Sequence, residues 1–380
     1  MADLTPGVLI YAHYVPPHPS ASATRMRSLA RYLTQSGHAV NLLTSQAGPT
    51  HVDGINIIRC KNRLGLLITI LKHRKWSILV SSPPGTPAAE VALMARLFGM
   101  RVIVDIRDPY VSEALANGEI APGLKTNIKR WLESCLLKVA NGLSYVSEPL
   151  RLTMNKHFST PMAPYVIAPN GIDLDIFHLN PATRRHTRLE LGAGDEPVFV
   201  YAGILGGKSL DKAIQSLAQP LRDGAKLLII GVLDEHSKPI KEELEVISSR
   251  LGIYSNIIWR FNEPLDQVAR LLNACDIGIN PLPDTRLYCL PVKTFEYLAC
   301  GLLPLCITGS NSALSALFPS DSTGVVCYDW AEFARQADKL ASNIAIVRSQ
   351  SLFRADFAKR FDRNIANRAL SALLLERSTP

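Results

Sequence analysis

The sequence predicts an α/β protein of two doubly wound domains, each a parallel sheet with helices on both faces. At 380 residues the chain is too long for one ordinary core. Short, continuous apolar runs alternate with amphipathic helical patterns, as in parallel sheets that are buried on both faces. The alternation stops at YVIAPNGIDLDIF (165–177), where Pro-Asn-Gly predicts a turn, and then starts again.

In the first half, apolar runs predict strands at 8–14, 39–45, 76–82, 101–108 and 142–147. The segments between them predict helices at 23–37, 83–99 and 124–140. Such sheets bind ligands beyond the carboxyl ends of their strands. The loops HYVPPHPSAS (13–22), SPPGT (82–86) and RDPY (107–110) are therefore the predicted walls of a site.

The second half repeats the pattern, with strands predicted at 197–203, 225–231, 256–261, 276–282 and 303–308. Its predicted helices cover 208–219, 238–251, 264–275 and about 291–299. We place the domain boundaries at 1–168 and 169–360, with a C-terminal helix over 361–380 that is expected to pack back toward the first domain. Two similar units in tandem predict a cleft between them.

Composition and charge indicate where the protein is located, the state of its cysteines and the charge of its partner. No run of eighteen apolar residues is present, and MADLTPGVLIYAHYV lacks the basic start and cleavage site of a signal peptide, so we expect a cytoplasmic protein. Seven cysteines without a CxxC pair predict reduced core thiols rather than zinc ligands.

Residues 1–180 carry 18 Lys+Arg against 11 Asp+Glu, whereas residues 181–380 carry 23 against 22. An anionic partner is therefore expected for the first half.

The stretch YCLPVKTFEYLACG (288–301) carries the first candidate site. Proline suits a helix start and Gly301 suits its end, so a helix from about Pro291 to Ala299 places Lys293 and Glu296 on one face. A lysine is unfavourable in a first helical turn, which predicts a negative group beside it. Two interpretations follow: a solvated ion pair, or a phosphate held by Lys293 with Glu296 accepting from a hydroxyl.

A glycine-rich turn carries the second candidate. In YAGILGGKSLDKAI (201–214), Gly203, Gly206 and Gly207 let a ligand approach the backbone, and Lys208 stands near a helix start. The pattern is neither GxGxxG nor GxxxxGK[ST], so it indicates neither a dinucleotide site nor a P-loop. Together with Lys293 it predicts a diphosphate clamp.

These segments, in this order, resemble the retaining glycosyltransferases of family 4, which have the GT-B fold of two Rossmann-like domains and use nucleotide sugars. The resemblance covers nearly the whole chain and is closest to a branch with the pattern P-x-K-x-x-E-Y, which builds bacterial surface polysaccharides. It is carried by GHAV (37–40), DIRDPY (105–110), SYVSEPL (144–150), APNGIDLDIF (168–177), VYAGILG (200–206), NIIWRF (256–261), ACDIGINPL (274–282) and LPVKTFEYLACG (290–301).

The resemblance implies donor-side roles. Glu296 is similar to the glutamate that accepts from the donor ribose, and Lys293 and Lys208 to the cations that face the diphosphate. Arg260 and Phe261 fall where the family holds the nucleobase. Pro291 and Thr294, in the same motif as Glu296, are expected on the donor side as well. No metal or other cofactor is expected besides the nucleotide-sugar co-substrate.

On the acceptor side, the resemblance places Asp108 at a strand end, where it activates the acceptor or contacts the donor sugar; a turn cap before Pro109 is the alternative. Ser22 and Arg25 follow the loop after the first strand, and a solvated helix face is the alternative for Arg25. His13 is either a ligand contact or a satisfied polar core residue.

Two positions depart from the family pattern. Tyr288 stands where many members have a first glutamate, and Ile204 where an arginine is common. Because that glutamate contacts the sugar in the family, the identity of the donor sugar stays open.

Two segments could contact a membrane. KNRLGLLITILKHRKW (61–76) places apolar residues between basic flanks, and LKTNIKRWLESCLLKVA (124–140) places Lys125, Lys129 and Trp131 on a basic helix. Core helices with charged ends are the alternative. With the charge excess of the first half, we expect peripheral association with the anionic inner leaflet, and no nucleic acid partner.

We therefore expect a metal-independent, retaining glycosyltransferase that moves a sugar from a nucleotide diphosphate to a hydroxyl of a saccharide or lipid-linked acceptor. A non-catalytic sugar-nucleotide or glycan-binding protein of the same fold is one alternative, made plausible by Tyr288 and Ile204. A nucleotide-sugar epimerase is another. Sugar, nucleobase and acceptor are not determined by the sequence.

Overall fold

The computed structural model describes residues 7–18, 20–81, 86–116, 120–158, 163–206, 209–282 and 287–376. The chain divides into two compact units: Met1–Gly171 with Arg363–Pro380, and Ile172–Asp362. The boundary at 168 expected from the sequence lies close to the end of the first unit's main segment.

Among the described residues, the first unit forms an eight-stranded sheet in the order β3-β4-β2-β1-β5-β6-β7-β8. Each pair of neighbouring strands is parallel except the pair β3 and β4, which is antiparallel. The strands are β1 Val8–Tyr11, β2 Val40–Thr44, β3 His51–Val52, β4 Ile55–Arg59, β5 Ser77–Ser81, β6 Arg101–Ile106, β7 Gly142–Tyr145 and β8 Tyr165–Ile167.

Helices cover both faces of this sheet. They are α1 Ala21–Gln35, α2 Arg63–Lys72, α3 Thr86–Leu97, α4 Tyr110–Ala116, α5 Leu124–Val139, α6 Glu148–His157 and, from the end of the chain, α16 Arg363–Leu375. On one face, α1 and α16 pack over alternate strand residues such as Val8 and Ile10. A hydrogen bond of 2.9 Å from Asn367 Nδ2 to Ser28 Oγ links these two helices.

The second unit forms a six-stranded parallel sheet in the order β11-β10-β9-β12-β13-β14 among its described residues. Its strands are β9 Val198–Ala202, β10 Lys226–Gly231, β11 Ile257–Phe261, β12 Ile277–Pro281, β13 Leu303–Ile307 and β14 Val325–Cys327. Its helices are α7 Pro181–Glu190, α8 Leu210–Ser216, α9 Ala218–Arg222, α10 Lys238–Arg250, α11 Leu265–Asn273, α12 Val292–Ala299, α13 Trp330–Ser342, α14 Ile344–Ser349 and α15 Ser351–Ala358, with 3₁₀ turns at Tyr254–Asn256 and Lys359–Phe361.

The core of this unit has two layers because successive strand residues face opposite sides. Phe199 and Ile229 face the layer of α8, α10 and α13, whereas Val198 and Leu228 face the layer of α11, α12 and α15. Both faces are buried, so the sheet fits the continuous apolar runs that predicted it.

The predicted α/β class and parallel sheets are confirmed. One helix, predicted over 208–219, is wrong as a single element: its described part forms two helices, α8 and α9, with a break at Leu217. Pro220 lacks the N–H that would bond the carbonyl of Ser216, which explains the break. No strand was predicted at β3, β4, β8 or β14, which lie near the edges of the sheets.

Candidate functional site

The order of strands in the second unit reverses between β9 and β12, which makes their carboxyl ends a topological switch point. Strand β9 pairs with β10 over five residues but with β12 over only two, Ile277 with Phe199 and Gly278 with Val200. Beyond Gly278 the two strands are joined through a side chain from α12.

That side chain is Tyr297, which is fully buried. Its hydroxyl accepts a hydrogen bond from the Ala202 N–H at 2.9 Å and lies 3.5 Å from the carbonyl oxygen of Ile279. Burial raises the pKa of Tyr297 well above its usual value, so the hydroxyl stays protonated. Beyond Gly278 the Tyr297 hydroxyl therefore takes the place of backbone hydrogen bonds between β9 and β12. The same contact holds α12 against the switch point.

Helix α12 begins at Val292, with Pro291 as the extended residue before it (φ −60°, ψ 134°). The chain leaves the helix at Gly301, whose φ of +81° favours glycine. Since α12 follows β12 in a parallel unit, its first turn lies at the carboxyl edge of the sheet. The predicted start at about Pro291 is thus correct to one residue.

Lys293 and Glu296 meet at this edge, as their spacing predicted. Lys293 Nζ donates to Glu296 Oε2 at 2.8 Å. The Glu296 side chain is only 6% exposed, whereas that of Lys293 is 30% exposed. A solvated surface pair would expose both, so the buried carboxylate distinguishes this pair from an ordinary i,i+3 contact. Glu296 is the negative group that offsets a lysine in the first turn.

Thr294 is fully buried, and its Oγ1 accepts a hydrogen bond of 3.0 Å from Asn280 Nδ2. Asn280 lies near the end of β12 and is 6% exposed. Sequence reasoning missed Asn280 and Tyr297 as parts of the site. A polar residue at the end of an apolar strand, as in DIGINPL, was the available signal for Asn280.

The glycine-rich turn after β9 lies at the same sheet edge. A Cβ at Gly206 would lie 2.9 Å from Ile240 Cδ1, and one at Gly203 would lie 3.1 Å from the Tyr201 hydroxyl. The turn is closed by the Tyr201 hydroxyl, which donates to the carbonyl oxygen of Ile204. Gly207 and Lys208 lie outside the described residues, so the second cation of the predicted clamp stays a prediction.

Arg260 and Phe261 end β11, which is separated from β12 by two strands, β10 and β9. Both are half-buried, and the Phe261 ring stacks on Trp259 with 6.0 Å between ring centroids. Asn262 follows in the left-handed region, and its Oδ1 accepts from the Leu233 N–H at 3.1 Å. The ends of β10 and β11 are thereby held together beside the switch point.

The two departures from the family pattern differ in exposure. Tyr288 is buried in the loop before α12, whereas Ile204 is 67% exposed in the glycine-rich turn. The exposed Ile204 therefore presents an apolar side chain to solvent beside Gly203.

In the first unit, Arg25 is buried rather than on a solvated helix face, so that alternative is wrong. Its guanidinium binds both carboxylate oxygens of Asp105, at 3.0 and 2.9 Å, and the carbonyl oxygens of Ala168 and Pro169 at 2.9 and 2.8 Å. Burial opposes ionisation of Asp105, but the charge and hydrogen bonds of Arg25 hold its pKa below the usual value. The acceptor-side role of Arg25 stays a prediction.

Asp108 follows the end of β6 and is half-buried. Glu133, on α5, is 3% exposed and lies within electrostatic range of it. Burial, and then the charge of Asp108, raise the pKa of Glu133 to about 7, although the Val111 N–H and Arg130 oppose the shift. Glu133 was not singled out in the sequence, because nothing in its helical context indicates burial beside a second carboxylate.

His13 and Ser22 belong to the segment after β1. His13 is half-buried, with its Nε2 2.9 Å from Gln46 Nε2 and its ring edge against Tyr14. Ser22 is 6% exposed in the first turn of α1. Among the described residues, no cluster of three His, Cys, Asp or Glu side chains suits a metal ion.

Residues 196–343 match the family model described as Glycosyl transferases group 1. The matched range spans β9 to α13 and includes both Lys293 and Glu296. The match thus lies within the second unit. No curated protein matches the chain.

Solved structures match nearly the whole chain. HepE from Anabaena in complex with UDP has a TM-score of 0.76 at 14% identity, over 96% of this chain and 98% of that one. Sucrose-phosphate synthase from Thermosynechococcus elongatus has a TM-score of 0.74 at 14% identity, over 97% and 98%. WaaG, a glycosyltransferase involved in lipopolysaccharide biosynthesis, has a TM-score of 0.72 at 15% identity, over 97% and 99%. The fold is that of the GT-B glycosyltransferases, as the resemblance implied.

Proposed function

We propose that this protein is a retaining, metal-independent glycosyltransferase that moves a sugar from a nucleotide diphosphate to a hydroxyl of a saccharide or lipid-linked acceptor. We place it in polysaccharide biosynthesis. The observation that carries the proposal is the Lys293–Glu296 pair, with its buried carboxylate and half-buried ammonium in the first turn of α12. The match of this segment to the group 1 domain supports it.

In the proposed reaction, the bond between the sugar C1 and the diphosphate oxygen breaks, and C1 bonds to the acceptor oxygen. The hydroxyl proton leaves with the phosphate or a nearby base. Negative charge grows on the leaving diphosphate, where Lys293 and Lys208 stabilise it. The free N–H groups of the first turn of α12 add a partial positive charge at the same place.

Glu296 orients the donor in this account. A carboxylate accepts more hydrogen bonds than Lys293 alone supplies, so it can also accept from the two ribose hydroxyls. Tyr297 and the Asn280–Thr294 bond hold α12 in place, which keeps that carboxylate fixed. The nucleobase would lie by Arg260 and Phe261. Because HepE is described in complex with UDP-glucose, uridine nucleotides are the first donors to test.

The test is an assay of the full chain with UDP-sugars, other nucleotide sugars and a panel of saccharide and lipid-linked acceptors. We expect release of nucleoside diphosphate that depends on both donor and acceptor, and a product with the donor's anomeric configuration by NMR. Turnover that survives metal chelation supports the metal-independent mechanism.

The rival functions give other results. Donor binding without turnover on any acceptor indicates a binding protein. Conversion of the donor without an acceptor indicates an epimerase. Either result overturns the proposal, and an inverted product overturns its stereochemistry.

A further inference from the structure

Three helices of the first unit form one layer: α2 packs against α3, and α3 packs against α5. An ion pair of 2.7 Å between Arg63 and Glu90 joins the first two. The two segments that the sequence singled out for membrane contact are therefore on one surface, with α3 between them. We call the outward side of α2, α3 and α5 the basic layer.

Large apolar side chains are exposed on the basic layer. On α5, Leu124, Ile128 and Trp131 are 76%, 48% and 62% exposed, at a spacing that puts them in one stripe. On α2, Leu64 and Ile68 are 63% and 44% exposed. Single exposed apolar residues are ordinary, but stripes on two helices of one layer form a surface of the kind that marks an interaction site.

The net charge of the helices that carry these stripes is positive. The three helices contain seven Lys and Arg residues and two Glu residues. Of the two, Glu133 is buried and Glu90 is neutralised by Arg63. Lys125, Arg130 and Lys138 are exposed. A basic surface with exposed aliphatic and indole groups complements an anionic lipid surface, into which apolar side chains insert while cations contact phosphates.

A groove of about 410 Å³ lies beside Trp131. Two cations, Arg130 and Lys138, and two polar residues, Asn127 and Ser134, line it together with the indole. This combination of charge and hydrogen-bond donors fits a phosphate-bearing lipid headgroup.

The position of the stripes matters for function. Leu124 and Ile128 lie in the first half of α5, and Leu64 lies in the first turn of α2, with Ile68 one turn further along. In a parallel sheet the crossover helices begin at the carboxyl edge, where the loops with His13 and Asp108 also lie. A membrane on the basic layer would thus be adjacent to the loops predicted to bind the acceptor.

We propose that the basic layer docks the protein on an anionic bilayer, with Trp131 at the lipid interface and a lipid phosphate between Arg130 and Lys138. The described helices include none long and apolar enough to cross a bilayer, so the contact is peripheral. Docking on this surface would bring a lipid-linked acceptor to the first unit, and this role rests on the proposed function. Binding to the bilayer itself does not depend on the nucleotide-sugar donor.

The test is co-sedimentation of the full chain with vesicles of phosphatidylethanolamine and phosphatidylglycerol, against vesicles of phosphatidylcholine alone. We expect recovery in the pellet only with the anionic vesicles, and less at high salt. Arg130→Ala with Lys138→Ala should lower the partition coefficient by about fivefold per cation removed. Ile128→Ala with Trp131→Ala should lower it by at least tenfold.

Matched controls come from the second unit. Leu352 is 72% exposed, and Arg250 is exposed at the end of α10, so Leu352→Ala and Arg250→Ala should bind vesicles like the wild type. All variants should keep the circular dichroism spectrum and the nucleotide-induced thermal shift of the wild type, which separates vesicle binding from donor binding.

Three results would overturn the proposal. One is equal recovery of the wild type in the supernatant with both vesicles. Another is vesicle binding that the basic-layer variants leave unchanged. The third is a dimer in sedimentation velocity that Trp131→Ala abolishes, without vesicle binding, because the surface would then belong to a second copy of the chain.

Discussion

The Tyr297 ring lies directly over the backbone of Gly278, so close that a Cβ at Gly278 would be 2.2 Å from Tyr297 Cδ2. This contact places the helix that carries Lys293 and Glu296 against the point where β9 and β12 separate. The candidate donor site thus depends on a glycine in a strand and a tyrosine in the following helix.

Tyr297→Phe should therefore destabilise the second unit. The substitution leaves the buried Ala202 N–H without the hydroxyl that accepts from it, which costs about 1–3 kcal/mol in the free energy of unfolding. Urea denaturation followed by circular dichroism measures the loss. Tyr254→Phe is the control, because that side chain is 48% exposed and should change stability little. Equal stability of both variants would contradict the role of Tyr297.

Arg25→Met should destabilise the first unit by about 3–5 kcal/mol, because Asp105 would remain as a buried charge without its partner. Arg27, also on α1, pairs with Asp53, and both side chains are about 40% exposed, so Arg27→Ala is the control, with an expected loss below about 1 kcal/mol. Thermal and urea unfolding of both variants check the difference. A loss for Arg25→Met no larger than that for the control would disprove a structural role.

Glu133 should make stability depend on pH. Its folded-state pKa of about 7 lies above the usual value, so its contribution is fully present below pH 4.5 and is lost as pH rises through 7. The free energy of unfolding should fall by roughly 1.4 kcal/mol per pH unit over that window.

Glu133→Gln removes this titration. The difference in stability between wild type and Glu133→Gln, measured by urea unfolding at several pH values, should therefore change between pH 4.5 and 7. Glu235→Gln is the control, since that side chain is 85% exposed. A pH-independent difference for Glu133→Gln would show that its carboxyl is not perturbed.

The sequence allowed the fold to be predicted where the signal is local. The central strands of both sheets are continuous apolar runs, and helix α12 carries a proline before its start and a glycine after its end. The Lys293–Glu296 contact was predictable for the same reason, since its members are one turn apart. The edge strand His51–Val52 has only two residues, which is too few to show the alternation of apolar and polar side chains that predicts a strand.

Contacts between distant residues could not be predicted. Arg25 and Asp105 are 80 residues apart, and only the folded sheet shows that the guanidinium is buried. Tyr297 and Ala202 are similarly separated, at 95 residues. The proximity of Glu133 to Asp108 also depends on how α5 packs over β6.

The most direct test of the central claim is a thermal-shift titration with UDP, UDP-sugars and other nucleoside diphosphates. Wild type is compared with Lys293→Ala and Glu296→Ala, and with Lys359→Ala as a control, since Lys359 belongs to an exposed i,i+3 pair in the same unit. At a hundred times its dissociation constant a ligand adds about 2.7 kcal/mol of stability. We expect one nucleotide class to shift the wild type and the control but neither site variant. A shift that both site variants retain, or none with any nucleotide, would contradict the assignment of Lys293 and Glu296 to the donor.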